Sequence, residues 1–396
     1  ILKLTNKRVG ERKNVKAETL EWMGRAYIDQ GRHAKAITVL LECLEVREKI
    51  LAKIESTEAA KDEHIELLDT ISWLVKAYQA SGKLDEAEEL AKRMVREKTE
   101  LLGASDPLTL DSLAWIVLLL GDRQRYEEME VKAKELLEGR LNAGGPDDPA
   151  TWTANYWVGR AYCHLGKFEE SEVLLRDVWE KRKVKLGENH LDTLTVLSWL
   201  GRLCTDAKKY EEANKLRVEE LERRIQVQGE TNINNAVVLE ALVAIRCKMG
   251  DLDAAESYCN EAIEIRKLKG GEKSLGYANA RAWLGEVCFL KQKYEESVAI
   301  RRGALATRME LLEPRHRLIG FSKCKLALVL HTMGGHDAEA EELIKEGVEI
   351  MKDTVRADDP SLEEALDILK KIIGEDTQEA TKATGPQTEP HVPQTS

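Results

Sequence analysis

The sequence has few aromatic residues, few prolines and no long apolar run. Its 396 residues include three phenylalanines and eight prolines, and aromatic side chains make up 5% of the total, whereas charged side chains make up 33%. The longest apolar run, residues 113–120, is far shorter than the roughly 20 residues that a membrane-spanning helix needs. This composition predicts a thin helical stack with a large solvated surface and no membrane span.

Targeting and redox signals are also absent from the sequence. It does not open on a secretory signal, it has no N-x-[ST] sequon, and its seven cysteines form no C-x-x-C pair. Several cysteines, among them Cys43, Cys204, Cys259 and Cys288, fall within predicted helices, where a buried reduced thiol is expected. These absences predict a cytoplasmic protein.

Charge and residue spacing exclude most kinds of site chemistry. The net charge of −11 argues against nucleic acid as a ligand, because phosphate binding needs a concentrated basic face. The eight histidines have no metal-ligand or triad spacing, and H-E-x-x-H is absent. The segment GGEKS at 270–274 lacks the full G-x-x-x-x-G-K-[ST] pattern. We therefore predict no catalytic, cofactor-binding or metal-binding residues, and no enzymatic activity.

One stretch defines the organisation of the whole chain. Residues 187–224 contain two amphipathic patterns at helical spacing, joined by a short polar turn, and predict a helical hairpin. Trp199 lies in the first of these helices, and its position recurs every 42 residues, apart from nine additional residues in the first interval. The residues at this Trp position are Trp22, Trp73, Trp115, Trp157, Trp199, Ala241, Trp283 and Lys325. A fixed period with helical patterning predicts an α-solenoid.

Two further positions keep the same period. Twelve residues before the Trp position stand Gly10, Gly103, Gly145, Gly187, Gly229 and Gly271. Nine residues after it, where the turn between the two helices of a repeat is expected, stand Gly31, Gly82, Gly166, Gly250 and Gly334, with Gln124, Lys208 and Gln292 in the other repeats. Helix ends commonly need a left-handed residue, so both positions predict helix termini.

The period also predicts boundaries along the chain. Residues 1–13 are expected to end a preceding repeat, so that the chain is part of a longer protein, and residues 14–353 to form about eight repeats. The nine additional residues, at about 50–63, are expected to lengthen the second helix of repeat 1 or its connection. Residues 354–373 are expected to form a capping helix, and 374–396 a disordered tail. An Asp followed by a Pro predicts helix starts at Asp106, Asp148 and Asp359.

The repeated motif resembles the tetratricopeptide repeat (TPR). It reads WMGRAY at 22–27, WLVKAY at 73–78, WVGRAY at 157–162, WLGRLC at 199–204 and WLGEVC at 283–288. A small residue follows nine positions after the last residue of each motif. These residues are Ala36, Ala87, Ser171, Ala213 and Ser297, and Ala255 stands at the matching place in the repeat between 204 and 288. The 42-residue period and lead-ins such as LGENHLDTL resemble the kinesin-light-chain type of TPR, and fungal NLR-like signalling ATPases often carry similar arrays. The resemblance implies an all-α, right-handed TPR superhelix of about eight helix-turn-helix repeats.

In TPR proteins the first helices line the concave surface, so the resemblance places the Trp position in a groove. Three residues after it come Arg25, Lys76, Arg160 and Arg202, then Ala244 and Glu286. Trp and Arg are enriched at binding hot spots, and an acidic segment with an aromatic or apolar anchor would suit such a groove. The predicted partner-binding residues are Trp73, Lys76, Trp115, Trp157, Arg160, Trp199 and Arg202. Kinesin light chains typically have Asn at the Trp position, and this sequence departs from them there.

A purely structural alternative stays open for the same residues. The indole rings would then pack between neighbouring first helices, and the basic residues would pair with Glu18, Glu21 and Asp69. The regular recurrence of the tryptophans favours this alternative, because a position that serves every repeat is typical of packing.

The predicted function is a non-enzymatic scaffold that binds a protein or peptide partner. We expect it to be the C-terminal sensor region of a larger signalling protein. The alternative is a self-contained adaptor for cargo or complexes, as kinesin light chains are.

Overall fold

The structure is a computed structural model and describes residues 15–55, 57–357 and 359–374. Within these ranges it contains 17 α-helices and no strand. The helices are α1 Val15–Asp29, α2 His33–Leu51, α3 Thr57–Ala80, α4 Leu84–Leu102, α5 Pro107–Asp122, α6 Tyr126–Gly144, α7 Pro149–His164, α8 Phe168–Leu186, α9 Leu191–Asp206, α10 Tyr210–Gln228, α11 Ile233–Met249, α12 Leu252–Gly270, α13 Leu275–Leu290, α14 Tyr294–Leu311, α15 Arg317–Met333, α16 Asp337–Thr354 and α17 Pro360–Ile373. The all-α prediction is confirmed, whereas residues 1–13, with Gly10, and the tail from 375 lie outside the described residues.

The chain divides into two compact units, Ile1–Ala207 and Lys208–Ser396. In unit 1, each of the helices α1–α8 packs against the next one, and the odd-numbered helices also contact one another directly. These odd-numbered helices carry the Trp position, and we call them the first helices of unit 1. In unit 2, α10–α17 pack in the same sequential order, and α17 lies against both α15 and α16.

Small residues allow the two helices of a repeat to approach closely. The predicted small positions on the second helices, such as Ala87 and Ser171, are fully buried. In α8 the Ser171 hydroxyl donates a hydrogen bond of 2.7 Å to the carbonyl oxygen of Gly159 in α7. A Cβ atom at Gly159 would lie 2.9 Å from Cγ of Leu175, so a larger residue there would push the helices apart.

The predicted helix ends are confirmed. The Asp106 carboxylate accepts a 2.8 Å hydrogen bond from the amide of Leu108, and Asp148 and Asp359 cap α7 and α17 in the same way. All the predicted turn residues have a left-handed backbone, including the three that are not glycine: Gln124, Lys208 and Gln292, with φ of 58°, 61° and 61°. The turn therefore fixes this conformation even where glycine is absent.

The additional residues near 50–63 mainly lengthen the following helix, α3, instead of α2. They do not lengthen α2, which has 19 residues like α4, α6 and α8. Instead α3 has 24 residues, whereas the other first helices α5, α7 and α9 have 16. The reason lies in its first turns, where Glu63 contacts Arg47, so the added segment packs onto α2.

Candidate functional site

The five tryptophans at the Trp position of unit 1 follow one surface of the first helices. Trp22 is 67% exposed, and the other four tryptophans at this position are half-buried. Because the first helices contact one another, Trp73 and Trp199 lie near the basic residue of the preceding first helix, which is Arg25 or Arg160. We call the Trp positions of α1, α3, α5, α7 and α9, with the residues three positions later, the first-helix surface.

Arg160 is held between two indole rings. Its guanidinium carbon lies 4.6 Å from the centroid of Trp157 and 4.2 Å from that of Trp199 in the next first helix. Both distances are within the range of a cation–π contact. Arg160 forms no ion pair with any residue that the structure describes, and its buried Nε atom has no hydrogen-bond partner. The repeat therefore presents a stacked cation whose charge is not balanced by a neighbouring carboxylate.

Arg25 is stacked in the same way, but its charge is balanced. Its guanidinium carbon lies 4.9 Å from the ring centroid of Trp22 and 4.4 Å from that of Trp73. The guanidinium also pairs with Glu21, the residue before Trp22. In α7 the residue before the tryptophan is Tyr156, which cannot supply a carboxylate.

The other predicted site residues lie on either side of α5, which has no cation at the matching position. Lys76 Nζ lies 5.1 Å from the ring centroid of Trp73, and Arg202 lies over Trp199 at 5.4 Å and pairs with Asp206 at 3.4 Å. Trp115 packs against the hydrophobic core and is followed at the same spacing by Leu118 instead of a cation. The seven predicted residues thus form two cation–indole groups with the apolar Trp115 between them.

Both alternatives drawn from the sequence describe part of this surface. Cationic side chains cover the indole faces, and Arg25 pairs with Glu21, as the structural alternative requires. Asp69, however, pairs with the buried Lys98 of α4, at 3.5 Å, and Lys76 forms no ion pair with any described residue. Among the described residues, Arg160 and Lys76 are the cations of this surface that form no ion pair, and Arg160 differs from Lys76 in being stacked between two rings.

A second periodic set was missed by the sequence reasoning. Each member is a basic residue 25 positions after the Trp position, near the end of a second helix: Arg47, Lys98, Arg140, Arg182, Arg224, Arg266 and Arg308. All are buried or largely buried, and the 42-residue spacing was the signal that could have identified them. Most pair with a carboxylate, as Arg266 does with Glu240 at 3.0 Å.

Arg182 and Arg308 differ from the rest of this set because their partners are neutral. Arg182 donates to the Thr153 hydroxyl and to the carbonyl oxygen of Asp192, both at 3.0 Å. Arg308 donates to Asn279 Oδ1 at 2.8 Å and to Ser322. Burial, with a smaller effect from the Arg301 charge, lowers the pKa of Arg308 to about 10.

The remaining titratable groups suggest no reaction chemistry. None of the seven cysteines, all of which lie within the described residues, forms a disulfide, and burial raises the pKa of Cys163 to about 12, so this thiol stays protonated near neutral pH. Within the described ranges, no group of three or more His, Cys, Asp or Glu side chains is arranged to hold a metal ion. None of the described helices is long and apolar enough to cross a membrane.

Repeated helical hairpins with a periodic Trp–Arg surface define a helical-repeat protein. The family models identify the kind of repeat. Models of the tetratricopeptide repeat match residues 17–50, 67–108, 150–226 and 276–353, which is more than half of the chain. The chain belongs to the tetratricopeptide repeat family. As a class these repeats are non-catalytic scaffolds for protein–protein interaction.

Two solved structures with TM-scores above 0.5 agree on the fold, whereas no curated protein matches the chain. A STAND signal transduction ATPase with a TPR sensor, from Pyrococcus horikoshii, is 17% identical with a TM-score of 0.56, covering 85% of this chain and 49% of that chain. A Rap protein complexed with Competence and Sporulation Factor is 14% identical with a TM-score of 0.56, covering 91% and 98%. TPR-like repeats of a Podosopora anserina protein named after kinesin light chain are 21% identical with a TM-score of 0.43, covering 53% and 96%.

Proposed function

We propose that the chain binds a protein or peptide partner along the first-helix surface of unit 1, through an acidic side chain next to an aromatic or apolar anchor. The observation that carries the proposal is the unpaired charge of Arg160 between Trp157 and Trp199. Stacking covers both faces of a guanidinium, and its terminal N–H groups then donate in its plane to a carboxylate. The tryptophans supply apolar area for the anchor.

The wider setting that we propose is the sensor region of a larger signalling protein. The STAND protein from Pyrococcus horikoshii supports this setting, since its TPR sensor is one part of a longer chain. The Rap protein with its bound factor supports partner binding by a similar array. The coding sequence that precedes Ile1 distinguishes the settings: a phosphate-loop domain there favours the sensor, and a heptad coiled coil favours the adaptor.

The partner-binding surface can be tested by reversing its charge. We expect the double variant Arg160→Glu, Arg202→Glu to weaken binding of an acidic, Trp-containing probe peptide by at least about tenfold, measured by calorimetry at low and physiological salt. The reason is that two attractive contacts become repulsive, while Arg160 is partly buried and Arg202 is exposed, so the fold should tolerate both changes. Circular dichroism should show unchanged helicity.

The matched control is Arg25→Gln against Arg160→Gln. Both guanidiniums have the same two-ring stacking, but Glu21 already occupies Arg25. We expect the Arg160 variant alone to lose affinity. Equal affinities for the wild type and the double variant would overturn the proposal.

A further inference from the structure

A second surface of unit 1 contains an open groove of about 590 Å³ in repeat 3. The groove lies between the second helices α4 and α6, and the outward side of α5 forms its floor. Ile116 and Leu120 of α5 line the floor, and Val95 and Val131 line the walls. Leu120 follows Trp115 by five positions, or about 140° around the helix, so the groove faces away from the first-helix surface.

The neighbouring repeat shows what this place holds when it is filled. The residue 42 positions after Leu120 is Tyr162, whose half-buried ring lies between α6 and the start of α8. The Nζ atoms of Lys134 and Lys167 lie 5.3 and 5.2 Å from the centroid of that ring. Glu130 pairs with both lysines, at 2.7 and 2.6 Å. A phenol ring with two flanking cations, joined by one carboxylate, forms the complete arrangement.

Repeat 3 keeps this charged arrangement without the ring. Glu88, Lys92 and Arg125 stand 42 positions before Glu130, Lys134 and Lys167. Glu88 pairs with Lys92 at 3.0 Å and with Arg125 at 2.9 Å, as its counterpart does.

Two smaller side chains open the space between these charges. Leu120 replaces the tyrosine that repeats 1, 2 and 4 have at this position, and Val95 replaces Leu137 of the next repeat. Both Lys92 and Arg125 line the groove, so the cations that would face an aromatic ring remain in place. A cation at the face of an aromatic ring is attracted by its negative quadrupole, which makes the groove complementary in charge to a ring.

We propose that the groove in repeat 3 receives a tyrosine side chain from a partner protein, held between Lys92 and Arg125 as Tyr162 is held between Lys134 and Lys167. The groove is larger than one ring, so the residues on either side of the tyrosine also have room. Val131, 63% exposed on the wall, supplies apolar contact for them. This contact is independent of the first-helix surface.

The test uses p-cresol, which is the tyrosine side chain alone, and acetylated Gly-Tyr-Gly amide. Methyl resonances of Val95, Leu120 and Val131 report binding at the groove by NMR titration. We expect both probes to shift these resonances, and Leu120→Tyr, which copies Tyr162, to weaken binding at least tenfold. Conversely, Tyr162→Leu combined with Leu137→Val should open an equivalent groove in repeat 4 and raise the stoichiometry of p-cresol from one to two.

Several outcomes would overturn the proposal. They are a wild-type chain in which neither probe shifts the groove methyl groups, a Leu120→Tyr variant that binds as the wild type does, and a Gly-Leu-Gly peptide that binds as well as the tyrosine peptide. The last result would assign the groove to an aliphatic anchor. If Leu120→Tyr does not fold, Val95→Trp, which copies Trp179 of α8, fills the groove from the other wall and should give the same loss. The Arg160→Glu, Arg202→Glu variant should bind both probes unchanged.

Discussion

At the scale of single residues, the side chain before Trp22 or Trp157 determines whether the arginine stacked between two indole rings is neutralised. Glu21 precedes Trp22 and pairs with Arg25, whereas Tyr156 precedes Trp157 and leaves Arg160 without a carboxylate. The two arginines have nearly the same distances to their rings, so stacking alone does not separate packing from binding. The difference lies in one neighbouring residue.

His164 gives a residue-scale prediction about pH. Its ring stacks on Tyr126 at 4.1 Å and meets the edge of Trp199 at 5.4 Å. Burial, with smaller effects from the charges of Arg202 and Arg160, lowers the pKa of His164 from 6.5 to about 4. The folded state therefore requires the neutral ring, and its stabilising contribution is complete above about pH 6.5 and is lost as the pH falls towards 4.

We expect His164→Phe to remove this part of the pH dependence while keeping the stack on Tyr126. Thermal melts of both chains between pH 7 and 4.5 measure it. The melting temperature of the wild type should fall more steeply than that of the variant. Parallel curves would show that His164 is protonated without cost in the folded chain.

At the scale of elements, the buried basic residues near the ends of the second helices are of two kinds: some pair with carboxylates, and others have only neutral partners. Arg47 of α2 is 1% exposed and pairs with Glu21, Glu63 and Glu66, the last two from the lengthened α3. Arg308 of α14 is 6% exposed and has only neutral partners. Removing one partner from a buried ion network leaves the others uncompensated, whereas removing a charge without an ionic partner does not.

We therefore expect Arg47→Met to lower the free energy of unfolding by about 3–5 kcal/mol and Arg308→Met to lower it far less. Urea denaturation followed by circular dichroism measures both changes. The two positions are equivalent in the repeat, so each variant is the control for the other. Equal losses would contradict the assignment of the ionic network to α2 and α3.

At the scale of the whole chain, the sequence pattern was sufficient for the fold but only partly for the site. Local chemistry determines the period, the helix caps and the turn residues. The sequence therefore places even Gln292 in a turn, where the structure has it. The destination of the added residues near 50–63 depends on a contact between two helices, that of Glu63 in α3 with Arg47 in α2. Likewise, the stacking of Arg160 on Trp199 and the groove beside Leu120 arise between repeats, where side-chain size and charge balance decide the outcome.

Because each helix in unit 1 packs mainly on its neighbours, destabilisation should stay local. We expect Leu74→Ala, in the fully buried core of α3, to speed amide hydrogen exchange in α2–α5 and to leave α8 unchanged. Exchange followed by mass spectrometry provides the measurement. Faster exchange along all of unit 1 would instead indicate a single cooperative unit.

Leu120 and Tyr162 occupy equivalent positions in neighbouring repeats, and the difference between them suggests how such an array acquires a new binding specificity. The repeats share one helical architecture. A shorter side chain in one repeat can therefore open a groove there, while the other repeats keep the array folded. A new binding site can then arise by the loss of a side chain: a partner's residue occupies the space that the protein's own residue fills in the neighbouring repeat.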